Sequence, residues 1–192
     1  MEDYYFSTKE LLLMGVREVG DNCLVSRKCS IYSGQTGGGI TLGNNVRIDD
    51  FCLLVGNITV KDYVHIGAFS GLHASKGGHI VFESFSGISS NVHIYASSDR
   101  FDGEYITARP GIPDECIEDV HSQVILGKYT QIGTGSIVLP NGSLGEGAAV
   151  GAMSLVNKLL DSWNVYAGIP CRFVKPRSRN MLKVLIEKGI TV

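Results

Sequence analysis

The sequence predicts an all-β solenoid, and two observations support that prediction. First, an aliphatic residue returns every six positions through most of the chain, with a small residue two places before it. Second, one short segment recurs, with related copies that begin at Val19, Leu42, Val60, Phe82, Leu126 and Leu144. A period of six fits neither a helix nor a strand that alternates between two faces. It fits a chain that takes a short extended step, turns a corner and steps again, so that three steps complete one triangular coil.

Each predicted coil has an interior and an outer surface. The recurring aliphatic residue points into the coil and the small residue before it shares that interior, while the residues between them point outward, as strand geometry requires. Glycine and asparagine at the corners supply turn conformations that bulky residues resist. Because one coil cannot bury its own apolar surface, such coils are stable only when several of them stack.

Three segments near the end of the repeat carry a family resemblance. They read IGTGSIVLP at 132–140, VGAMSLVNK at 150–158 and VYAGIPCR at 165–172. From about 19 to 174 the chain resembles the hexapeptide-repeat acyltransferases, and these segments look like the coenzyme A end of the galactoside and maltose acetyltransferases. The resemblance implies a left-handed parallel β-helix that assembles as a homotrimer, with each active site between two subunits. Outward apolar residues such as Leu53 and Ile137 fit such an assembly.

The chain is expected to form one domain with two terminal pieces. We expect an N-terminal cap at 1–16, a β-helix at 17–175 with loop insertions at 76–79 and 97–123, and a C-terminal α-helix at 176–192. Ser178 is expected to cap that helix and Gly189 to stop it. Relatives place the acceptor sugar beside a break such as 97–123. The charged residues of this insertion are mostly acidic. Its basic residues are Arg100 and Arg109, and its acidic residues are Asp99, Asp102, Glu104, Asp114, Glu115, Glu118 and Asp119.

Composition argues against several classes of protein. A formal net charge of −2 argues against binding to nucleic acid. No apolar stretch approaches the ~18 residues of a membrane span, and no charged-then-apolar leader precedes the coils, so we expect neither membrane insertion nor secretion. The five cysteines have neither zinc nor disulfide spacing. We therefore expect a protein of the reducing cytoplasm that binds no metal.

Acyl transfer to a sugar requires a base that takes the proton of the acceptor, and the relatives usually use a histidine for it. In the galactoside acetyltransferases that histidine occupies a position that corresponds to Asp99 here. The base must therefore come from elsewhere, and His65 is the first choice. It should point out of the coil, with Gly87 leaving room beside it one coil further along. Asp99 would either orient His65 or bind the acceptor sugar.

Two other histidines are alternatives for the base. His93 should also point outward, with Gly71 one coil before it. His73 follows an inward leucine and should stack on Tyr95 of the next coil. An outward histidine on a β-helix is a surface residue by default, so the sequence ranks these candidates below His65.

The resemblance also implies where acetyl-CoA would bind as co-substrate. Thr134 and Ala152 match positions that lie against the pantetheine arm in relatives. Asn157 and Lys158 match a threonine–lysine pair that often meets the coenzyme. Arg172 and Lys175 match basic residues that lie near the phosphates of the coenzyme in relatives. An arginine can hold a phosphate through two hydrogen bonds.

The expected function is an acetyl-CoA-dependent O-acetyltransferase that acts on a sugar hydroxyl, in the biosynthesis of a bacterial surface polysaccharide such as lipopolysaccharide. The alternative is an N-acetyltransferase of a nucleotide-linked amino sugar, since an amine is more nucleophilic and an aspartate or a water chain would then suffice as base. A γ-class carbonic anhydrase is disfavoured because its metal needs clustered histidines, and His65, His73, His79 and His93 should lie on different faces. A non-catalytic scaffold is the remaining alternative.

Overall fold

The computed structural model describes residues 4–34, 38–75, 77–107 and 110–190, so Gly37, Lys76 and Arg109 lie outside the described residues. The chain folds as the predicted left-handed parallel β-helix with a C-terminal α-helix. Three parallel sheets form the sides of the column. We number the sheets in the order in which each coil visits them, and we name the corners I (first to second sheet), II (second to third sheet) and III (third sheet to the next coil).

Each sheet stacks one short strand from each successive coil. The first sheet contains β1 (Glu18–Val19), β4 (Ile40–Leu42), β7 (Ile58–Val60), β10 (His79–Phe82), β15 (Gln123–Leu126), β18 (Ser143–Leu144) and β21 (Leu159–Leu160). The second contains β2 (Leu24–Val25), β5 (Arg47–Ile48), β8 (His65–Ile66), β11 (Gly87–Ile88), β16 (Gln131–Ile132), β19 (Ala149–Val150), β22 (Asn164–Ala167) and the antiparallel β23 (Arg172–Pro176). The third contains β3 (Ser30–Tyr32), β6 (Leu53–Gly56), β9 (Gly71–Ala74), β12 (His93–Tyr95), β17 (Ile137–Val138) and β20 (Leu155–Val156).

The six-residue aliphatic period is the register of these sheets. In the second sheet Ile48 pairs with Ile66, Ile66 with Ile88, and Ile88 with Ile132. Each of these side chains is at most 1% exposed, so one isoleucine lies directly above another along the core. Burying such a side chain contributes roughly 1.5–3 kcal/mol. The repeat therefore specifies which residues meet as well as the shape of the coil.

Aromatic residues occupy several corners where the pattern predicted only glycine and asparagine. At corner I, Asn45 has positive φ as expected, but so do Tyr63, Phe85, Tyr129 and Trp163. The left-handed conformation costs a bulky residue about 1–2 kcal/mol. Stacking between successive rings offsets that cost. The ring centroids lie 4.8 Å apart for Tyr63 and Phe85, 5.5 Å for Phe85 and Tyr129, and 6.1 Å for Tyr129 and Trp163.

The two ends of the column carry different structures. At the N-terminal end α1 (Thr8–Leu13) starts with a reciprocal capping box between Ser7 and Glu10, and Leu11 is buried against the core. At the other end α2 (Asn180–Glu187) follows β23. Its N-cap residue is Arg179 instead of the predicted Ser178, although the Ser178 hydroxyl accepts the first N–H of the helix at 3.2 Å.

The chain leaves the column between β12 and β15. This excursion is not a plain loop: β13 (Ser97–Asp99) and β14 (Asp119–His121) pair antiparallel at its base, and a 3₁₀ turn covers Asp114–Cys116. The Arg100 guanidinium pairs with the carboxylates of Asp102 and Glu118 and so links the two arms of the excursion. At the smaller predicted insertion, 76–79, the chain has already rejoined the first sheet at His79.

Candidate active site

The outer face of the third sheet carries two of the predicted histidines side by side. His93 pairs with Gly71 and Tyr95 with His73, as the coil spacing predicts. The His73 imidazole stacks on the Tyr95 ring at 4.5 Å between centroids and 5° between planes. A Cβ atom on Gly71 would lie 2.5 Å from His93 Nδ1 and 2.7 Å from His73 Nε2. Both imidazoles therefore depend on the absence of a side chain at position 71.

The environment of His73 disfavours its charged form. Burial lowers the pKa of His73, and the neighbouring His93 lowers it further. Within the described residues, His93 Nδ1 is buried without a hydrogen-bond partner. A buried ring nitrogen without a partner is rare, and it commonly finds one in an assembly or a ligand.

His65 lies on the outer face of the second sheet and is paired with a carboxylate. Its Nε2 lies 2.8 Å from Oδ2 of Asp49. Oδ1 of the same carboxylate accepts a hydrogen bond from Arg47 Nε at 2.7 Å. Burial alone would raise the pKa of Asp49, but the hydrogen bonds from His65 and Arg47 outweigh it and lower that pKa. The carboxylate beside His65 within one chain is thus Asp49, and the pairing of His65 with Asp99 stays a prediction for the contact between subunits.

The sequence contained a signal for Asp49 that the pattern analysis missed. Arg47 is the residue that pairs with His65 one coil earlier, and Asp49 lies two positions beyond it, around the start of corner II. A side chain there reaches the coil above, since adjacent strands lie only about 4.8 Å apart. The six-residue pattern relates residues at equal positions in successive coils, so it does not pair Asp49 with His65.

The predicted room beside His65 is present. Gly87 pairs with His65 on one side and with Gln131 on the other. A Cβ atom on Gly87 would lie 3.2 Å from Gln131 Oε1. Gln131 Nε2 in turn donates to Ser89 Oγ at 3.4 Å, so the Gln131 carboxamide lies beside Gly87 and reaches corner II.

Asp99 lies elsewhere, at the end of β13, where it lines an open pocket of about 600 Å³ at corner III. Asn157, a predicted coenzyme residue, lines the same pocket. The full lining is Ser98, Asp99, Arg100, Phe101, Asp102, Val120, Leu139, Pro140, Asn141 and Asn157. The pocket therefore brings together one residue predicted to meet the acceptor sugar and one predicted to meet the coenzyme.

The remaining coenzyme candidates divide between the two edges of the third sheet. Thr134 and Ala152 stack at corner II, where the N–H of Met153 donates to the Thr134 carbonyl at 2.9 Å. Arg172 continues this edge, because it pairs with Ala167 at the end of β22. Asn157 and Lys158 lie at corner III, between β20 and β21, and Lys175 lies further along β23. All six are exposed: Thr134, Ala152, Asn157, Lys158, Arg172 and Lys175.

The histidines do not gather around a common point. His65 lies on the second sheet and His79 on the first, whereas His73 and His93 lie on the third. Across the described ranges, no three histidine, cysteine, aspartate or glutamate side chains are arranged to hold a metal ion. Neither α-helix in the described part of the chain has the length and apolar character that a bilayer crossing requires.

Comparison with known proteins identifies the class. The dTDP-4-amino-4,6-dideoxy-D-glucose acyltransferase of Escherichia coli is 39% identical over 184 residues, which cover 94% of this chain and 92% of that protein. WbbJ of E. coli K12, named as a lipopolysaccharide biosynthesis O-acetyl transferase, is 28% identical over 158 residues, which cover 80% and 75% of the two chains. No protein-family model matches the chain.

A solved structure agrees over the whole column. AntD, an N-acyltransferase from Bacillus cereus, is 41% identical with a TM-score of 0.88, covering 97% of this chain and 98% of that one, in a complex with dTDP-4-amino-4,6-dideoxyglucose and coenzyme A. AntD has also been solved with dTDP and 3-hydroxybutyryl-CoA. Its solved variants include changes at a serine and at an aspartate ten positions later. The chain therefore belongs to the hexapeptide-repeat acyltransferases that act on sugars.

Proposed function

We propose that the protein is a coenzyme A-dependent N-acyltransferase whose acceptor is the amino group of a nucleotide-linked amino sugar. The observation that carries this proposal is the 41% identity to AntD over 97% of the chain, in a complex that holds dTDP-4-amino-4,6-dideoxyglucose and coenzyme A. The O-acetyltransferase interpretation, which the sequence favoured, has weaker support from a relative at 28% identity. The acceptor we propose is dTDP-4-amino-4,6-dideoxyglucose.

The chemistry of an amine fits the site better than that of a hydroxyl. A neutral amine attacks a thioester without prior loss of a proton, so the base only has to collect the proton that the new amide releases. A hydroxyl needs a base that removes its proton during attack. The position of the usual family histidine is occupied by Asp99, which lines the pocket at corner III. An amine acceptor tolerates that replacement.

The AntD variants also support a role for Asp99 and single out a serine that pattern analysis missed. The varied serine and aspartate of AntD are ten residues apart. In this chain one serine and one aspartate have that spacing, Ser89 and Asp99. Ser89 lies at corner II, one coil before Thr134, with its N–H bonded to the Ile132 carbonyl at 2.9 Å. We assign both residues to the acceptor site.

The two-edge distribution of these residues supports the homotrimer. Asp99 and Asn157 lie at corner III, whereas Ser89, Thr134 and Ala152 lie at corner II, across the width of the third sheet. One chain cannot present both edges to one substrate. If the apolar outer face of the third sheet turns toward a threefold axis, corner II of one subunit meets corner III of the next. Each site then draws on two chains.

In that arrangement the coenzyme runs along corner II. Arg172 and Lys175 bind its phosphates at the C-terminal end, and Thr134 and Ala152 contact the pantetheine arm. Asn157 and Lys158 contact it from the neighbouring subunit. The acyl group is acetyl or a small hydroxyacyl group, since AntD was solved with 3-hydroxybutyryl-CoA.

Release of free thiol from acyl-CoA tests the proposal. We expect turnover with acetyl-CoA or 3-hydroxybutyryl-CoA and dTDP-4-amino-4,6-dideoxyglucose, and none with the matched sugar nucleotide that carries a 4-hydroxyl. Asp99→Asn should reduce turnover at least about tenfold, because the carboxylate helps to place the acceptor amine. Asp114→Asn, in the same excursion but outside the pocket lining, is the control and should keep wild-type turnover. Acylation of the hydroxyl acceptor alone would restore the O-acetyltransferase interpretation.

A further inference from the structure

We propose that Asp49 is a positioning residue that holds His65 as the proton acceptor of the acyl transfer. This inference rests on the proposed function, since it assigns a role within that reaction. It gives the orientation of His65, one of the two roles that the sequence offered for Asp99, to a carboxylate of the same chain. Asp99 is left to the acceptor sugar.

The contact between the two side chains is direct and supported on both sides. Asp49 Oδ2 lies 2.8 Å from His65 Nε2, and Arg47 Nε donates to Oδ1 at 2.7 Å. The backbone is fixed as well, because the N–H of Asp49 donates to the Ile66 carbonyl, the residue next to His65, at 3.0 Å. With Nε2–H donated to the carboxylate, the lone pair of Nδ1 is the one that can accept a proton.

Two charged side chains adjoin each other and this imidazole on the side of the preceding coil. They are Asp49, on the turn after β5, and Arg47 on β5 itself. From the next strand, β11, the facing residue is Gly87, and beyond it stands the neutral Gln131. The carboxylate of Asp49 is therefore the negative charge that stabilises an imidazolium at His65.

Neighbouring strands connect this pair to the coenzyme edge. Gly87 pairs with both His65 and Gln131, and the Gln131 side chain reaches Ser89 at corner II. Strand β19 leads into Ala152, and His65 lies on β8. The distance from β19 to β8 is three strand spacings, or about 14 Å. A pantetheine arm extended along corner II from the Ala152 level therefore brings its thioester to the level of His65.

Atoms and electrons balance in the proposed step. The lone pair of the acceptor nitrogen forms a bond to the thioester carbon, and the carbon–sulfur bond breaks with its electron pair on sulfur. The proton lost by nitrogen passes to His65 Nδ1. It then passes from His65 to the coenzyme thiolate, which leaves as the thiol and restores neutral imidazole. Asp49 stays ionised throughout and holds the ring in place.

Steady-state kinetics with the amino-sugar acceptor test the pair. We expect His65→Asn to lower kcat about 100-fold, with KM for acyl-CoA little changed. Asp49→Asn should lower kcat about tenfold, again with KM for acyl-CoA little changed, because the imidazole loses the carboxylate that orients it. Asp49→Glu should restore part of the lost kcat. Glu83→Gln, which breaks a comparable exposed pair with Lys61 between adjacent coils, should leave kcat unchanged.

Two results would overturn the inference. One is an Asp49→Asn variant with wild-type kcat and wild-type KM for acyl-CoA. The other is a ¹⁵N spectrum of the wild-type protein in which the neutral His65 ring carries its proton on Nδ1. A wild-type enzyme that leaves amino sugars unacylated would remove the proposed function together with this step, whereas an active wild-type enzyme with an unaffected Asp49→Asn variant would remove this step alone.

Discussion

Gly147 lies directly against the indole ring of Trp163. A Cβ atom at position 147 would stand 2.4 Å from Cδ2 of that ring, and Gly147 also has a φ of +66°. It interrupts the aromatic ladder of corner I, so that the ring of Tyr129 and the indole face each other across it at 6.1 Å. A side chain is thus excluded by both the backbone conformation and the space above it.

The variant Gly147→Ala should therefore be less stable than its backbone conformation alone predicts. Alanine in the left-handed region costs about 1–2 kcal/mol, and overpacking the ladder adds roughly 1–3 kcal/mol. The matched control is Gly111→Ala, because Gly111 also has positive φ (+78°) but a Cβ atom there would meet no other atom within 4 Å. Denaturant unfolding followed by the fluorescence of the single tryptophan measures both. Equal losses in the two variants would show that the ladder tolerates the methyl group.

The outer face of the third sheet should control assembly. Ile137→Glu places a charge on the face that we expect to turn toward the threefold axis, and it should convert the trimer to monomers because a buried unpaired charge is costly. Ile125→Glu is the matched control on the outer face of the first sheet, since the two isoleucines are similarly exposed, at 38% and 36%. Analytical ultracentrifugation distinguishes the outcomes. Trimers in both variants would place the interface on another face.

A bulky residue at corner II should block the coenzyme. Ala152→Phe is expected to weaken acetyl-CoA binding at least about tenfold, because the ring would occupy the space assigned to the pantetheine arm. Lys128→Phe is the control. It places the same ring at corner I, also two residues after an inward aliphatic residue, and the variant should bind acetyl-CoA normally. Isothermal titration calorimetry measures both. Normal binding by the Ala152 variant would move the coenzyme away from this edge.

Stability should fall as the pH falls below about 6.5, the ordinary value for histidine. Burial lowers the pKa of both His73 and His79 in the folded protein, so the unfolded chain takes up protons there that the folded chain does not. The free energy of unfolding is then highest above that pH and decreases below it. Replacing both histidines with glutamine should flatten the profile of the free energy of unfolding below about pH 6.5.

A second decrease in the free energy of unfolding is expected at lower pH. Hydrogen bonds from Lys28, Ser26 and Tyr4 lower the pKa of Asp50 to about 2. Its contribution is present above about pH 4, the ordinary value for aspartate, and is lost as the pH falls toward 2. Asp50→Asn should remove this step while leaving the one near neutral pH. An unchanged profile below pH 4 would show that the network around Asp50 also forms in the unfolded chain.

The sequence predicted the parts of the molecule that depend on position within a coil. The inward isoleucines, the outward histidines and the contact of His73 with Tyr95 follow from the six-residue period, because parallel stacking brings equal positions into register. It did not predict the aromatic residues at corner I, since their left-handed conformation is offset by stacking between coils. It also missed Asp49 and Ser89, whose roles depend on contacts between unequal positions of neighbouring coils.

The C-terminal end of the column has a consequence for solubility. A stack of parallel coils ends in a row of unpaired backbone groups on which another chain could continue the pattern. Here β23 runs antiparallel to β22, and the guanidinium of Arg177 turns back to donate to the carbonyls of Tyr129 and Gly147 at 2.7 and 3.0 Å. The reversed strand offers an incoming parallel coil the wrong hydrogen-bond pattern. The second sheet therefore ends on a strand that a further parallel coil could not continue, and a chain that lacked this strand would be more prone to join end to end into fibres.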